Sequence, residues 1–265
     1  MLADLRMWLL LVRAWLRAAA QYPASFVLLL TGSFLVTGLD IAAILVIFAH
    51  VPELGGFTLP EVMFVYGTAG VSFALANLFA GNADNLGSYL RSGDFDVMLI
   101  RPVSAFVQLG ADRFSPQKIG RLAQAATVLA IALPQLGIPW SRAWMIPLMI
   151  LCGFVIFTAI WAITGALQFL LVDAPEVASA FTFGGAQLTQ YPLSVYGAEL
   201  ARGVTFIVPL AFVSWQPALY VLGREDPFGL PYALRFAAPA AALVLSLLAA
   251  LAWRAGLRRY RSTGS

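Results

Sequence analysis

The chain has almost none of the residues from which catalytic and metal sites are built. Its 265 residues include one cysteine, one histidine and one lysine, and only 11% are charged. One Cys excludes an internal disulfide framework, and with one His it excludes a Cys/His zinc site. A phosphate-binding loop needs Gly-Lys-Ser/Thr after a glycine-rich turn, but the sole Lys118 follows Gln117, so the chain carries no ATPase loop of that type. His50 sits beside Pro52 and Glu53 with no nucleophile or carboxylate at a hydrolase spacing, and Cys152 lies within an apolar run as a packing residue. Charge is scarce where an ordinary soluble domain has roughly 25%. What is abundant is apolar: 61% hydrophobic residues and a mean hydropathy of +0.85 exclude intrinsic disorder and exceed what a soluble core can hide. The expectation is an all-α polytopic membrane protein. Its pI of about 9.2 then concerns orientation in the bilayer, not nucleic-acid binding.

A crossing takes about 20 residues. Apolar segments of that order run over 24–49, 61–81, 116–136, 142–172 and 232–255. Residues 173–203 are rich in Gly, Ser, Thr, Gln and Tyr, while 204–222 are apolar but carry Pro209 and Pro217. One span plus a re-entrant segment fits that stretch as well as one span preceded by a long loop, and both give six transmembrane helices. Ahead of them, Arg6, Arg13 and Arg17 share one helical face opposite Trp8, Leu11 and Trp15. This predicts an amphipathic helix over 1–23 lying in the membrane interface, followed by a six-helix transmembrane domain over 24–265.

Positive charge sets the orientation. With the N-terminus inside, the cytoplasmic pieces and their flanking helix ends hold Arg6, Arg13 and Arg17; then Arg91, Arg101, Arg113, Lys118 and Arg121; then Arg254, Arg258, Arg259 and Arg261. These are twelve of the 16 basic residues, so both termini are expected to be cytoplasmic.

Two groups of polar residues stand out. Asp40 lies deep in the first span with Ser33 and Thr37 on the same stripe, and a carboxylate there costs about 2.5–3.5 kcal/mol on insertion scales. Lining of a substrate path by Ser33, Thr37, Asp40, Asn77 and Gln168 is one reading, and hydrogen bonding to neighbouring helices is the other. The second group is the hydrophilic stretch 82–102 after the second span. Leu86, Leu90, Val97, Leu99 and Ile100 are expected to anchor it, with a turn at Gly93 and Asp94.

The run Leu90-Arg91-Ser92-Gly93-Asp94-Phe95-Asp96, with Leu99-Ile100-Arg101-Pro102, resembles the I-x-x-G-x-L-D-x-x-L-L-R-P stretch of permease subunits in type-two, exporter-class ABC transporters. Residues 57–67 are similar to that family's segment entering its second span. Pro209-Leu210-Ala211-Phe212-Val213-Ser214-Trp215-Gln216-Pro217-Ala218 resembles its P-x-x-F-x-x-Y-x-P-A element, and residues 256–264 resemble its tail. Phe95 for Leu and Trp215 for Tyr depart from the pattern.

The resemblance implies a multi-pass protein of the bacterial inner membrane that exports an amphiphilic or lipophilic substrate, such as a drug-like cation or a lipid-linked compound. It implies two cytoplasmic ATPase subunits, which bind ATP and Mg, and a second, related permease as partners; this chain itself would be no enzyme and hold no cofactor. It further implies a fifth span near 176–196, an external re-entrant element over about 197–222, and an ATPase-coupling element over about 85–102 that includes Arg91, Gly93, Asp94, Asp96, Arg101 and Pro102. Arg91 and Asp94 are the charges best placed to reach a partner, whereas Asp96 and Arg101 are placed to brace the element. A proton-coupled secondary transporter is the first alternative, though Asp40 is the only intramembrane carboxylate available for a relay. An integral-membrane enzyme is the second, with Asp84, Asp94 and Asp96 its only candidate cluster.

The charge count generates a topological prediction. After Cys152→Ser, single cysteines introduced by Ser92→Cys and Gly229→Cys should differ in intact cells: an impermeant thiol reagent labels the second and not the first. Labelling at position 92 alone would invert the orientation.

Overall fold

The computed structural model describes residues 2–171 and 175–261, with the side chains of a few helical residues, Thr37 among them, outside the described set. The described residues are helical with no strand, in keeping with the expected all-α class. In chain order the α-helices are α1 (Leu2–Ala20), α2 (Pro23–His50), α3 (Leu59–Ala80), α4 (Leu86–Ser92), α5 (Asp94–Leu99), α6 (Ala105–Ala111), α7 (Gln117–Ala132), α8 (Trp140–Ala143), α9 (Met145–Leu167), α10 (Pro175–Ser179), α11 (Gly185–Thr189), α12 (Ala198–Phe206), α13 (Trp215–Leu222) and α14 (Ala238–Arg259). A 3-10 turn over Gly81–Asn85 joins α3 to α4, and a π-helical turn over Ala180–Gly184 joins α10 to α11.

Local chemistry sets the boundaries. Pro23 opens α2 with its φ already helical. Helix α3 begins with a capping box in which Glu61 reaches back to the Thr58 backbone N–H, 2.8 Å away. Four stretches are long and apolar enough to cross a membrane: Pro23–His50, Leu59–Ser92, Trp140–Leu167 and Ala238–Arg259. A fifth is added if Ala198–Phe206 and Leu210–Leu222, which meet at 83°, make one broken span. The expected third span is a shorter helix whose first turns carry Lys118 and Arg121, and the expected fifth is interrupted by the π-turn.

The core lies where α3 packs on α7, α9 and α11. Small residues let the backbones close: a Cβ on Gly67 would lie 2.8–2.9 Å from backbone and Cβ atoms of Leu129, and one on Gly70 would lie 2.9 Å from the Ala125 Cβ. Phe73 then fills the centre, its ring 5.2–5.4 Å from those of Phe157, Trp161 and Phe183. Large apolar side chains along α2 and α14, such as Leu28, Leu35, Leu39, Leu243 and Leu251, stay exposed by more than half, the surface a helix shows to lipid or to another helix.

Contacts group the segments into two ends. At one, α1 packs on α6 through Val12, Ala111 and Phe114, the Ser104 N–H donates to Asp4 Oδ1, and Tyr260 at the exit of α14 donates to Asp96 at 2.9 Å. Burial and that bond push the Tyr260 hydroxyl up to about 12. At the other end, Ser194 donates to the Gly55 carbonyl, Tyr220 to that of Ser141, and Trp144 stacks on Phe236.

The close approach of α3 to α7 yields a test. Gly67→Val forces Cβ and its methyls into Leu129, where overpacking costs about 1–3 kcal/mol, so the purified protein should melt at lower temperature in detergent. The control Gly38→Ala, whose added Cβ meets nothing within 4 Å, should not.

Candidate functional site

The polar residues of the expected coupling element and substrate path divide into a joint, two cavities and a clamp. The joint is the turn at 81–87, where α3 gives way to α4. Asn82 donates to Tyr89 Oη and the Leu109 carbonyl, tying the turn to α4 and α6. Buried Asp84 accepts at Oδ2 from Trp161 Nε1 at 2.9 Å and from Thr182 Oγ1 at 3.3 Å. Its Oδ1 is buried with no hydrogen-bond partner among the described residues. Thr182 sits in the π-turn, so this carboxylate holds α9 and the irregular stretch before α11 to the same turn. Gln168 completes it: its Oε1 accepts from the Gly87 N–H at 2.7 Å and its Nε2 donates to the Ala83 carbonyl. Gln168 is also one of the residues expected to line a substrate path. The residue lines neither polar cavity, and both ends of its amide are used in joining α9 to the turn.

Beyond the joint, two short helices, α4 and α5, meet at the expected turn. Gly93, at φ 77°, makes the corner between α4 and α5, a backbone conformation other residues rarely adopt. Phe95 and Met98 are the buried anchors of α5, with Phe95 edge-on to Phe169 and Tyr260. Val97, Leu99 and Ile100, expected to be anchors, are instead exposed at 48%, 44% and 83%. The reason is helical periodicity: α5 turns the 95 and 98 positions inward and the others out. Arg91 and Asp94 are exposed, the latter accepting from Ser92 Oγ. Asp96 is bonded to Tyr260, and Arg101 donates to Gln108 Oε1 at 3.5 Å, just before Gln108 Nε2 closes onto the Met98 and Val103 carbonyls. Pro102 follows in the exposed bend before α6. Asp84, Asp94 and Asp96, the candidate enzyme cluster, thus point to three different environments.

Ser33, Asp40 and Asn77 lie together around two adjoining polar cavities between α2, α3, α7 and the π-turn. The larger, of about 650 Å³, is lined by Ser33, Asn77, Asn82, Arg113, Lys118 and Arg121 among others. The smaller, of about 330 Å³, holds Asp40 with Tyr66, Gln124, Gln187 and Gln190. Arg121 borders both, its guanidinium 5.8 and 5.7 Å from the ring centres of Phe73 and Phe183. The Thr37 side chain lies outside the described residues. Sequence reading missed Arg121 as a lining residue because a positive charge near a helix end looks like an orientation signal; its i+3 spacing from Lys118 was the available cue.

The clamp is at the opposite end. Arg224, past α13, donates through Nε and Nη2 to the two Glu61 oxygens, each at 2.8 Å, and that bond holds its guanidinium above its usual basicity. The signal was present as Thr58-Leu59-Pro60-Glu61, a capping-box pattern that freezes the carboxylate in place. Above it Phe57 packs on Trp215 with ring centres 5.2 Å apart.

A family model described as "ABC-2 family transporter protein" matches residues 34–264. No curated protein and no solved structure matches the chain. Among the described residues no group of three or more His, Cys, Asp and Glu side chains is placed to hold a metal ion.

The clamp can be weighed by a double-mutant cycle on thermal stability with Glu61→Gln, Arg224→Gln and both. Because the Arg224 side chain is 41% exposed, a coupling of about 1 kcal/mol is expected. Additive effects would show that the pair contributes geometry alone.

Proposed function

For a chain that belongs to the ABC-2 transporter family as its permease subunit, we propose the role of membrane subunit in an ATP-driven exporter of an amphiphilic or lipophilic substrate. The observation that carries this is the family match over nearly the whole chain, 34–264, joined to polar cavities inside an otherwise apolar helical body. ATP is hydrolysed by two separate cytoplasmic subunits, and a second, related permease completes the assembly in the bacterial inner membrane.

Six crossings are supported by where successive segments make their contacts. Helix α1 and the α4–α6 cluster share one end, Gly55 and Ser194 meet at the other, and the exit of α14 returns to Asp96 at the first. Parity alone allows four crossings or six, but α9 starts at the far end, where Ser141 and Trp144 meet Tyr220 and Phe236, and finishes at the first end, where Gln168 meets Gly87. The chain therefore crosses once before α9 through α7 and once after it through the α10–α11 stretch, beside α2, α3, α9 and α14. The bent α12–α13 pair then turns back as a re-entrant element on the external side. In this arrangement α1 lies in the cytoplasmic interface, with Arg6, Arg13 and Arg17 exposed toward headgroups.

A subunit without its own nucleotide site must receive work mechanically, which requires a partner-facing surface on a rigid support. Helices α4 and α5 supply both. Their outer face offers Arg91, Asp94, Val97, Leu99 and Ile100, a mix of charge and apolar surface suited to a docking contact. Their inner face is locked by Phe95, Met98, Asp96 and the Gln168 joint.

The experiment is co-purification and ATPase activity of the assembled complex with Arg91→Glu, Ile100→Asp and Gly93→Val. Each should lower ATPase activity several-fold and weaken recovery of the nucleotide-binding subunit, with membrane insertion unchanged. Wild-type values for all three would remove α4 and α5 from the coupling path.

A further inference from the structure

We propose that the larger cavity between α2, α3 and α7 is a binding site for the anionic headgroup of the transported amphiphile. The proposal rests on the exporter reading and narrows its substrate class. Three of the chain's 16 basic residues, Arg113, Lys118 and Arg121, line one space of about 650 Å³, and no Asp or Glu lines it with them. The carboxylates that act on these cations lie elsewhere. Asp84 is bonded through one oxygen to Trp161 and Thr182, Asp40 borders the smaller cavity, and the partly buried Asp112, which accepts from Tyr89, stands 3.9 Å from the mostly exposed Arg113. Among the described residues no carboxylate oxygen comes within 4.0 Å of Lys118 or Arg121.

The cations are supported by rings. Arg113 lies over Tyr89 at 5.1 Å, Lys118 over Phe114 at 5.9 Å, and Arg121 between Phe73 and Phe183. A ring face holds a cation in position while leaving its hydrogen-bond donors available to a ligand. Ser33 and the side-chain amides of Asn77 and Asn82 add polar lining, and the start of α7 at Gln117 turns the positive end of that helix's dipole toward the same space. Three like charges grouped at the edge of a hydrocarbon layer repel one another and are stable together when an anion sits among them. A phosphate or carboxylate headgroup meets that need, and the apolar flank of α2, where Leu28, Leu29 and Val36 join the lining, suits the chain attached to it. A cationic substrate would have Asp40 alone to meet, with Arg121 beside it.

The test uses the full chain in nanodiscs of neutral phosphatidylcholine. Binding of a fluorescent phosphatidic-acid analogue is compared with binding of a phosphatidylcholine analogue bearing the same acyl chains. The expected result is at least a tenfold preference for the anionic analogue, lost in Lys118→Gln and Arg121→Gln, restored in Lys118→Arg, and kept in the exposed-surface control Arg13→Gln/Arg17→Gln. Equal binding of the two analogues would overturn the proposal, as would an equal loss in the surface control, which would assign the preference to general charge at the interface. Displacement by inorganic phosphate as effective as by the lipid analogue would overturn an amphiphile as the occupant. Each variant is first checked by size-exclusion elution, and Lys118→Gln keeps the question open to refutation should Arg121→Gln fail to fold. Because binding needs no ATPase, a negative result here is separable from a failure of the exporter reading, which would appear as loss of complex with the nucleotide-binding subunit.

Discussion

A polar group buried inside a protein must find its partner there, and in this chain that constraint falls hardest on the turn at 81–87. There a long apolar helix stops being regular and frees backbone N–H and C=O groups in a buried setting. The molecule answers by importing side chains from every neighbouring element. Trp161 and Thr182 satisfy one oxygen of Asp84, Gln168 takes the Gly87 N–H and gives to the Ala83 carbonyl, and Asn82 spans to Tyr89 and Leu109. Each bond is ordinary in size, about 0.5–1.5 kcal/mol net when both partners are neutral. Their arrangement matters more than their sum, because α3, α4, α6, α9 and the π-turn converge on seven residues.

That convergence gives the joint a mechanical character. A movement of α4 and α5 cannot be absorbed locally, since Gln168 and Phe169 hand it directly to α9 and Asp84 hands it to the π-turn. Packed interiors respond to such displacement by switching between discrete packings, not by flexing. The π-turn is the element with a ready alternative, because an extra residue in a helical turn can be redistributed along the helix without breaking the chain's continuity. Phe183 in that turn touches Arg121, so in the proposed cycle a change there is felt at the wall between the two polar cavities.

Much of this architecture was legible in the sequence because bilayer physics writes in long apolar runs. The all-helical class and the family followed from those runs and from ordered short motifs. Crossing number was harder. The stretch 116–136 reads as a span in the sequence but folds as the shorter α7 with Lys118 and Arg121 in its first turns, and the α10–α11 stretch is rich in Gly, Thr and Gln and broken by the π-turn, so neither is long and apolar enough to count as a crossing by itself. The site was partly visible. Ser33 and Asn77 line the larger cavity and Asp40 the smaller one, whereas Gln168, chosen by the same criterion of polarity in an apolar helix, bonds to the backbone of the 81–87 turn. Only its partners, the backbone groups of Ala83 and Gly87, distinguish the two cases, and backbone groups have no signature in a sequence. Val97, Leu99 and Ile100 were misassigned for a related reason: a six-residue helix is too short for its apolar pattern to reveal which face is turned inward.

The two ends of the molecule are closed by different kinds of interaction, and this bears on how work could be used. At the external end of the proposed orientation, the Glu61–Arg224 pair, its Thr58 cap and the Phe57–Trp215 contact bind the re-entrant element to α3 with few spare polar groups. At the other end the cavities stay open and three cations stand beside aromatic faces with no carboxylate in contact with Lys118 or Arg121 among the described residues. Opening the external side means separating a bidentate ion pair and an aromatic contact together. Filling the internal side neutralises mutual repulsion among cations and stabilises the closed packing around a ligand. In the proposed exporter the substrate would load from the cavity side and external work would be spent on the other, and the polar joint at 81–87 is the connection that leads to α3, the helix that carries Glu61 at its far end.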